Sequence, residues 1–99
     1  MNAQLILDGE LSIYRAAELK ERLLDALAAT DAVLEVNLAG VHEIDTAGVQ
    51  LLMLTRREAA ASGRRLRLVA HSAPVLAAFE LLNLGSYFGD ALLVVEDSA

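Results

Sequence analysis

The residues best placed to act on another molecule are a carboxylate and a hydroxyl side by side, Asp45 and Thr46, followed by Ala47 and Gly48. The apolar, β-branched run at 33–38 predicts a buried strand before them, and the sequence after them has strong helix-forming composition. The motif therefore lies where a strand-to-helix loop enters a helix. Either side chain can cap the free N–H groups there, and the helix N-terminus favours negative charge. The pattern is typical of a site for chemistry or recognition.

Catalytic chemistry has little support elsewhere in the chain. His42 and His71 are the only histidines, and neither has a nucleophile or a ligand cluster at a recognisable spacing. We expect both to be polar loop residues. The chain has no cysteine, which excludes a disulfide framework and a thiolate zinc site. The sequence therefore predicts a protein that is not an enzyme and that has no metal and no cofactor.

Composition limits the class of protein and its partners. The 99 residues predict a single domain, 1–99, and the hydrophobic content of 56% can cover both faces of a sheet with helices. The net charge of −6 argues against nucleic acid or an anionic membrane surface as the main partner. The apolar runs are far shorter than the roughly 20 residues that span a membrane. With no signal peptide visible, we expect a cytoplasmic domain with no direct membrane insertion.

The elements that must position the motif alternate along the chain. Helical periodicity predicts helices near 16–29, 46–62 and 73–83. Strands are predicted at 4–7, 33–38, 66–70 and 91–95, with turn or bulge chemistry at Asp8 and Gly9. On the first helix, Glu18 and Arg22 have the i,i+4 spacing of an ion pair. Helices between buried strands imply crossover connections, so we expect an α/β fold with a mostly parallel sheet of four strands.

The first turns of the central helix raise two further expectations. Glycine in a helix costs about 1 kcal/mol relative to alanine, so Gly48 predicts a close approach to a partner or a neighbouring strand. Apolar residues from Val49 to Leu54 surround the helix, whereas a helix on one face of a sheet needs only a stripe. Either neighbouring helices cover the rest, or Val49 and Met53 form an exposed docking patch beside Thr46.

With its motif in this place, the chain resembles the STAS family, which includes the anti-sigma factor antagonists and the tail domains of sulfate transporters. Residues 9–11, Gly-Glu-Leu, and 16–19, Ala-Ala-Glu-Leu, are similar to the family's sequence before and within its first helix. Residues 41–49 resemble its apolar-Asp-Ser/Thr-x-Gly-apolar motif, and 63–69 resemble the strand that follows. The resemblance covers nearly the whole chain. It implies a central sheet of four to five strands, mostly parallel or mixed, packed with three to four α-helices.

In the antagonist branch, the Ser or Thr after the motif Asp is phosphorylated by a partner kinase that is itself an anti-sigma factor. The resemblance carries this phosphoacceptor role to Thr46. The unphosphorylated antagonist captures the kinase and frees the sigma factor, and phosphorylation ends the capture. The implied function is bacterial signal transduction and transcription regulation, with a phosphatase as a further partner. The motif and docking residues are Asp45, Ala47, Gly48, Val49 and Met53.

A second branch of the family leaves the partner open. It is the small cytoplasmic subunit of the bacterial lipid-asymmetry ABC transporter, in which the same motif docks on the ATPase subunit without phosphorylation. The Asp-Thr-Ala-Gly at 45–48 replaces the commoner Asp-Ser-Ser-Gly or Asp-Ser-Thr-Gly, and this variant also occurs in the transporter branch. The chain also begins almost at Gln4, without the extra N-terminal strand that many antagonists carry.

Overall fold

The computed structural model describes residues 2–83, which contain the motif and three α-helices. The elements in chain order are β1 (Ala3–Leu11), a 3₁₀ turn (Ile13–Arg15), α1 (Ala16–Ala28), β2 (Val33–Ile44), α2 (Thr46–Ala61), β3 (Arg65–Val69) and α3 (Ala73–Leu81). The three predicted helices are confirmed, with ends within two residues of those expected. The strand predicted at 91–95 lies outside the described residues.

The described strands form one parallel sheet in the order β1-β2-β3. Leu5 of β1 is in register with Val36 of β2, which is in register with Leu68 of β3. The predicted α/β class and the parallel pairing are therefore confirmed. The part of the chain described here contributes three strands to the sheet, against the four to five expected of the whole domain.

β2 is twice as long as predicted and leaves no loop before the motif. It continues from the expected end at Leu38 to Ile44 because β1 also continues, past Asp8 and Gly9, and supplies hydrogen-bonding partners. Two shifts of register, between Ile6 and Asp8 and between Gly9 and Glu10, mark bulges in this pairing. Gly9 has a φ of +76°, which glycine adopts without strain. The sequence predicted a turn or a bulge at Asp8 and Gly9, and in both shifts the extra residue belongs to β2, opposite this part of β1.

The core lies between the sheet and its helices, of which α1 and α2 contact each other and α3 contacts β2. Along β2, Leu34 and Val36 are fully buried while Glu35 between them is partly exposed, so one face of the strand is internal. The buried residues that fill this core from the other elements are Leu7, Leu11, Leu19, Leu23, Leu27, Leu52, Ala59, Leu68, Val75 and Phe79. Burial on one face of the sheet fixes the register of the strands and hence the position of the β2 end that carries the motif.

The two histidines differ from the expectation that both are polar loop residues. His42 is exposed but belongs to β2, not to a loop. His71 does precede α3 in a loop, but only 6% of its surface is exposed. Its ring lies edge-on to Phe79 of α3, with 5.6 Å between the centroids. α3 contacts β2, and its Phe79 and Val75 are fully buried, so the packing of this helix encloses the imidazole.

None of the helices formed by residues 2–83 combines the length and the apolar character needed to cross a membrane.

Candidate functional site

Asp45 joins the 3₁₀ turn after β1 to the start of α2 through both of its carboxylate oxygens. Oδ1 accepts a hydrogen bond from the Gly48 amide at 3.0 Å, which caps the helix, and Oδ2 accepts one from the Ile13 amide at 3.0 Å. The Asp45 amide donates to the Leu11 carbonyl at 3.1 Å. The sequence allowed either Asp45 or Thr46 as the helix cap, and the structure shows that it is Asp45. The same side chain also fixes the 3₁₀ turn against α2.

These hydrogen bonds set the charge state of the Asp45 carboxylate. The amides of Gly48 and then Ile13 stabilise the ionised form and hold the pKa of Asp45 below its ordinary value of 3.8. The carboxylate therefore stays ionised at physiological pH, and the N-terminus of α2 carries a permanent negative charge. Any second negative charge at this helix end meets that carboxylate as well as the favourable helix dipole.

Thr46 is the first residue of α2 and is exposed. Its hydroxyl forms no hydrogen bond with any residue in the range 2–83, because Asp45 already occupies the capping position. The Thr46 side chain is thus accessible and has no part in holding the described structure together. A hydroxyl in this state is available to a partner protein or to a phosphoryl-transfer enzyme.

Gly48 is buried against the end of β1, which explains the glycine. A Cβ built on Gly48 would lie 2.8 Å from the Leu11 Cβ and closer still to the Leu11 carbonyl oxygen. Real Cβ atoms do not approach other heavy atoms so closely, so a side chain at 48 would push α2 away from β1. The predicted close approach is to a neighbouring strand within the domain, and it brings Thr46 and Ile13 to the same part of the surface.

Of the two residues expected in an exposed docking patch, Val49 and Met53, only Met53 is accessible at the surface. Val49 has 2% of its surface exposed and packs inward, so neighbouring elements cover it and it does not form a patch beside Thr46. Met53 is half-buried and lines an open surface groove, together with Ala47. A docking role for these residues stays a prediction.

The groove, named here the α1–α2 groove, has a volume of about 540 Å³ and lies beside the motif. Its lining consists of Ile13, Ala16, Lys20, Ala47, Gln50, Leu51, Met53, Leu54 and Arg57. The Ile13 side chain is 62% exposed although its amide is bound to Asp45. Ile13, Lys20 and Arg57 were not singled out as site residues from the sequence. An apolar residue two positions after Leu11 was the available signal, but only the Asp45 hydrogen bond shows that it lies beside the motif.

No candidate metal site accompanies the motif in the part of the chain described. Residues 2–83 contain no group of three or more His, Asp or Glu side chains that could hold a metal ion. His71 is the buried histidine, and both of its ring nitrogens lack a hydrogen-bond partner there. The arrangement around Thr46 consists of an exposed hydroxyl, a fixed carboxylate and an adjoining apolar groove, which suits recognition of another molecule's surface.

A parallel α/β sheet whose second crossover helix begins with a capped Asp-Thr-Ala-Gly motif defines a STAS-type domain. The family model described as "Mlab, STAS domain" matches residues 2–95. This match covers almost the whole chain, and the protein therefore belongs to the STAS family.

Two solved structures share the fold. One is the anti-sigma factor antagonist SpoIIAA in its unphosphorylated form, with 23% identity and a TM-score of 0.70 over 88% of this chain and 78% of that one. The other is a sulfate transporter family protein from Wolinella succinogenes, with 17% identity and a TM-score of 0.72 over 90% of this chain and 72% of that one. At these identities the similarity concerns the fold. No curated protein matches this chain.

Proposed function

We propose that this domain is a non-enzymatic protein-interaction module of the anti-sigma factor antagonist type. In this proposal it binds a serine/threonine kinase that acts as an anti-sigma factor while Thr46 is unphosphorylated, and phosphorylation of Thr46 releases the kinase. The supporting observation is the division of tasks in the motif. Asp45 uses both carboxylate oxygens to hold the fold, whereas the neighbouring Thr46 hydroxyl is exposed and without a hydrogen bond in the described range.

A phosphate on Thr46 affects binding far more than folding. It adds roughly −1.5 to −2 charges. Within the free domain, the helix terminus attracts it by about 1 kcal/mol. The ionised Asp45 carboxylate repels it by a similar amount, roughly 1–2 kcal/mol at about 5 Å in water. At a docked interface the same dianion loses its water, which costs several kcal/mol when no cation pairs with it. Phosphorylation can therefore end binding and leave the domain folded.

A second candidate function is a permanently docked subunit of an ABC transporter, in which Thr46 contacts the ATPase and is never phosphorylated. The family description, which names the Mlab STAS domain, favours this candidate. The same exposed hydroxyl and groove serve a constitutive interface equally well. The two candidates differ in the partner and in the chemical state of Thr46.

The deciding experiment is capture of partners from native lysate on the tagged chain, with identification by mass spectrometry. Recovery of a kinase of the GHKL type, followed by ATP-dependent phosphate on Thr46, would support the antagonist function. Recovery of an ABC ATPase, with Thr46 unmodified after incubation with ATP, would support the transporter function. Ser62→Ala is the matched control, since it removes another exposed hydroxyl from the C-terminal end of the same helix. Phosphate on a residue other than Thr46 would contradict the antagonist proposal.

A further inference from the structure

The α1–α2 groove has a charge opposite to that of the protein as a whole. The chain carries a net charge of −6, yet among residues 2–83 the only charged ones that line the groove are Lys20 and Arg57. The rest of the lining is apolar apart from Gln50. Both basic residues are exposed at its margin. The groove therefore combines an apolar floor with a positive rim on an acidic domain.

Lys20 and Arg57 also differ from every other basic side chain of the protein. All eight Lys and Arg residues lie in the described range, and six of them have an interaction. The six are Arg15, Arg22, Arg56, Arg64, Arg65 and Arg67. Within residues 2–83, the side chains of Lys20 and Arg57 have no hydrogen bond or ion pair. The two basic side chains that the fold leaves unused thus lie at one groove.

We propose that this groove binds an amphipathic helix of a protein partner, with carboxylates on that helix pairing with Lys20 and Arg57. The inference rests on the proposed function, because it identifies the chemistry of the partner at the same site. The side walls are the helices α1 and α2, and a third helix can pack its side chains into the space between two others. A strand in this place would leave its backbone N–H and C=O groups unpaired, since helical walls offer none in exchange.

The position of Thr46 gives the same proposal a mechanism of release. Thr46, Gln50, Met53 and Arg57 follow one another at i, i+4, i+7 and i+11, so they lie along one face of α2. A phosphate on Thr46 would stand at one end of that face. It would repel an acidic helix that extends along this face. A basic partner would be attracted by the same phosphate, so release on phosphorylation favours an acidic partner over a basic one.

The test uses a displayed library of helical peptides of about 18 residues, selected against the full chain. Each peptide keeps a leucine stripe at i, i+3, i+4 and i+7, and the flanking positions vary among Glu, Lys, Gln and Ala. We expect enrichment of Glu at the flanks. The affinity of a selected peptide should fall at least tenfold, by roughly 1.4 kcal/mol, in the double variant Lys20→Glu, Arg57→Glu, and the wild-type affinity should fall as salt increases.

Arg67→Glu is the control for charge alone, because Arg67 lies in β3, away from the groove, and faces Glu35. It should leave peptide binding unchanged, and circular dichroism should show the same fold in all variants. Enrichment of neutral or basic peptides, no enrichment at all, or full affinity in the charge-reversed variant would overturn the proposal. Binding of the chain to vesicles rich in phosphatidylglycerol, lost on charge reversal and without acidic peptides enriched, would also overturn it in favour of a membrane surface.

Kinase capture and peptide binding by the same variants distinguish a failure of this inference from a failure of the proposed function. If Thr46→Glu abolishes capture of the recovered kinase while Lys20→Glu, Arg57→Glu does not, the switch stands and the acidic helix is wrong. If acidic peptides bind through Lys20 and Arg57 but Thr46 is never phosphorylated, the groove stands and the antagonist function is wrong.

Discussion

Asp45 and Thr46 are adjacent residues with separate tasks, and the separation decides which substitutions the fold tolerates. Asp45 accepts two backbone hydrogen bonds that join elements, whereas the Thr46 hydroxyl has none in the described range. Removing the Thr46 hydroxyl therefore leaves the described contacts in place. Substitutions at Thr46 are expected to change function and leave the structure intact. Substitutions at Asp45 and Gly48 are expected to change the stability of the fold.

Thr46→Glu should weaken capture of the partner without unfolding the domain. If desolvating the added charge at the interface costs about 3 kcal/mol, affinity falls by about two orders of magnitude. The effect should be smaller than that of phosphate, which adds nearly two charges rather than one. Titration of each variant against the recovered partner measures it. Thr46→Ala is the matched variant, and it should prevent phosphorylation while still allowing capture. Binding of Thr46→Glu as tight as that of the parent would show that Thr46 is no switch.

Gly48→Ala should destabilise the domain, although alanine favours helices by about 1 kcal/mol. The added Cβ would lie 2.8 Å from the Leu11 Cβ, and overpacking of this kind costs typically 1–3 kcal/mol. We therefore expect a net loss of stability of up to about 2 kcal/mol, the balance of these two effects. Urea denaturation checks the expectation. A raised melting temperature with unchanged partner binding would mean that β1 and α2 separate easily at this point.

At the scale of the elements, the junction of β1, the 3₁₀ turn and α2 depends on one carboxylate. Asp45→Asn should cost about 1 kcal/mol, because an amide has one acceptor oxygen for two N–H donors, those of Gly48 and Ile13. Glu43→Gln is the control, since it removes the same charge from an exposed position nearby. Denaturant titration of both variants measures the difference.

Because the pKa of Asp45 is lowered, the loss of stability caused by Asp45→Asn should depend on pH. The ionised carboxylate is favoured in the folded protein, so its stabilisation is present above the ordinary pKa of 3.8 and is lost as pH falls through the lower folded value. The stability difference between the parent and Asp45→Asn should therefore shrink below about pH 4. A difference that stays constant down to pH 2 would show that charge has no part in the junction.

The first strand lies at the edge of the described sheet, and two arginines cover its exposed carbonyls. Arg15 Nη1 donates to the Asp8 carbonyl at 2.8 Å and to the Glu10 carbonyl at 2.9 Å, and Arg22 Nη2 donates to the Ile6 carbonyl at 3.2 Å. These carbonyls alternate along β1, as do those that point to one edge of a strand. Occupied acceptors cannot pair with a strand of another molecule.

Arg15 binds Glu18 in place of the pair predicted between Glu18 and Arg22.

The double variant Arg15→Ala, Arg22→Ala should self-associate. Each lost hydrogen bond costs about 0.5–1.5 kcal/mol, and the freed carbonyls present an edge to a second copy. Light scattering during size-exclusion chromatography, at increasing protein concentration, measures the mass. Lys20→Ala is the control on the same helix, because Lys20 has no described bond to the strand. A variant that stays as monodisperse as this control would show that the arginines do not protect the edge.

At the scale of the whole molecule, His71 makes stability sensitive to mild acid. Burial beside Phe79 disfavours the charged imidazole and lowers the pKa of His71 from 6.5 to about 4. The unfolded chain therefore binds a proton first as pH falls, so stability is complete above pH 6.5 and declines toward the folded value. The decline between pH 7.5 and pH 5 should be about 2 kcal/mol.

His71→Leu should abolish most of that decline, since leucine cannot take up a proton. The measurement is urea denaturation at pH 7.5 and at pH 5, above the range in which most carboxylates titrate. His42→Gln is the control, because it removes the exposed histidine and should keep the parent's pH dependence. An unchanged pH dependence in His71→Leu, or its loss in His42→Gln, would assign the acid sensitivity to another group.

Local patterns in the sequence were sufficient to predict the helices, the parallel class of the sheet and the position of the motif at the start of a helix. Helix periodicity and capping are properties of residues a few positions apart, so α1, α2 and α3 could be predicted to within two residues. Long crossover helices between buried strands leave only a mostly parallel arrangement. Gly48 was predicted to be close to a neighbour because its propensity cost needs a reason.

Contacts between distant residues decided the rest. Residues 39–44 show no strand pattern, and they are a strand because β1, some 30 positions earlier, supplies hydrogen bonds on either side of two bulges in β2. The second hydrogen bond of Asp45, to Ile13, likewise spans 32 positions and alone shows that the 3₁₀ turn borders the site. Val49 and His71 are buried because of the way α2 and α3 pack in the fold, and no local spacing in the sequence specifies that packing. Propensity acts over a few residues, whereas register, burial and the shape of a groove depend on which surfaces meet.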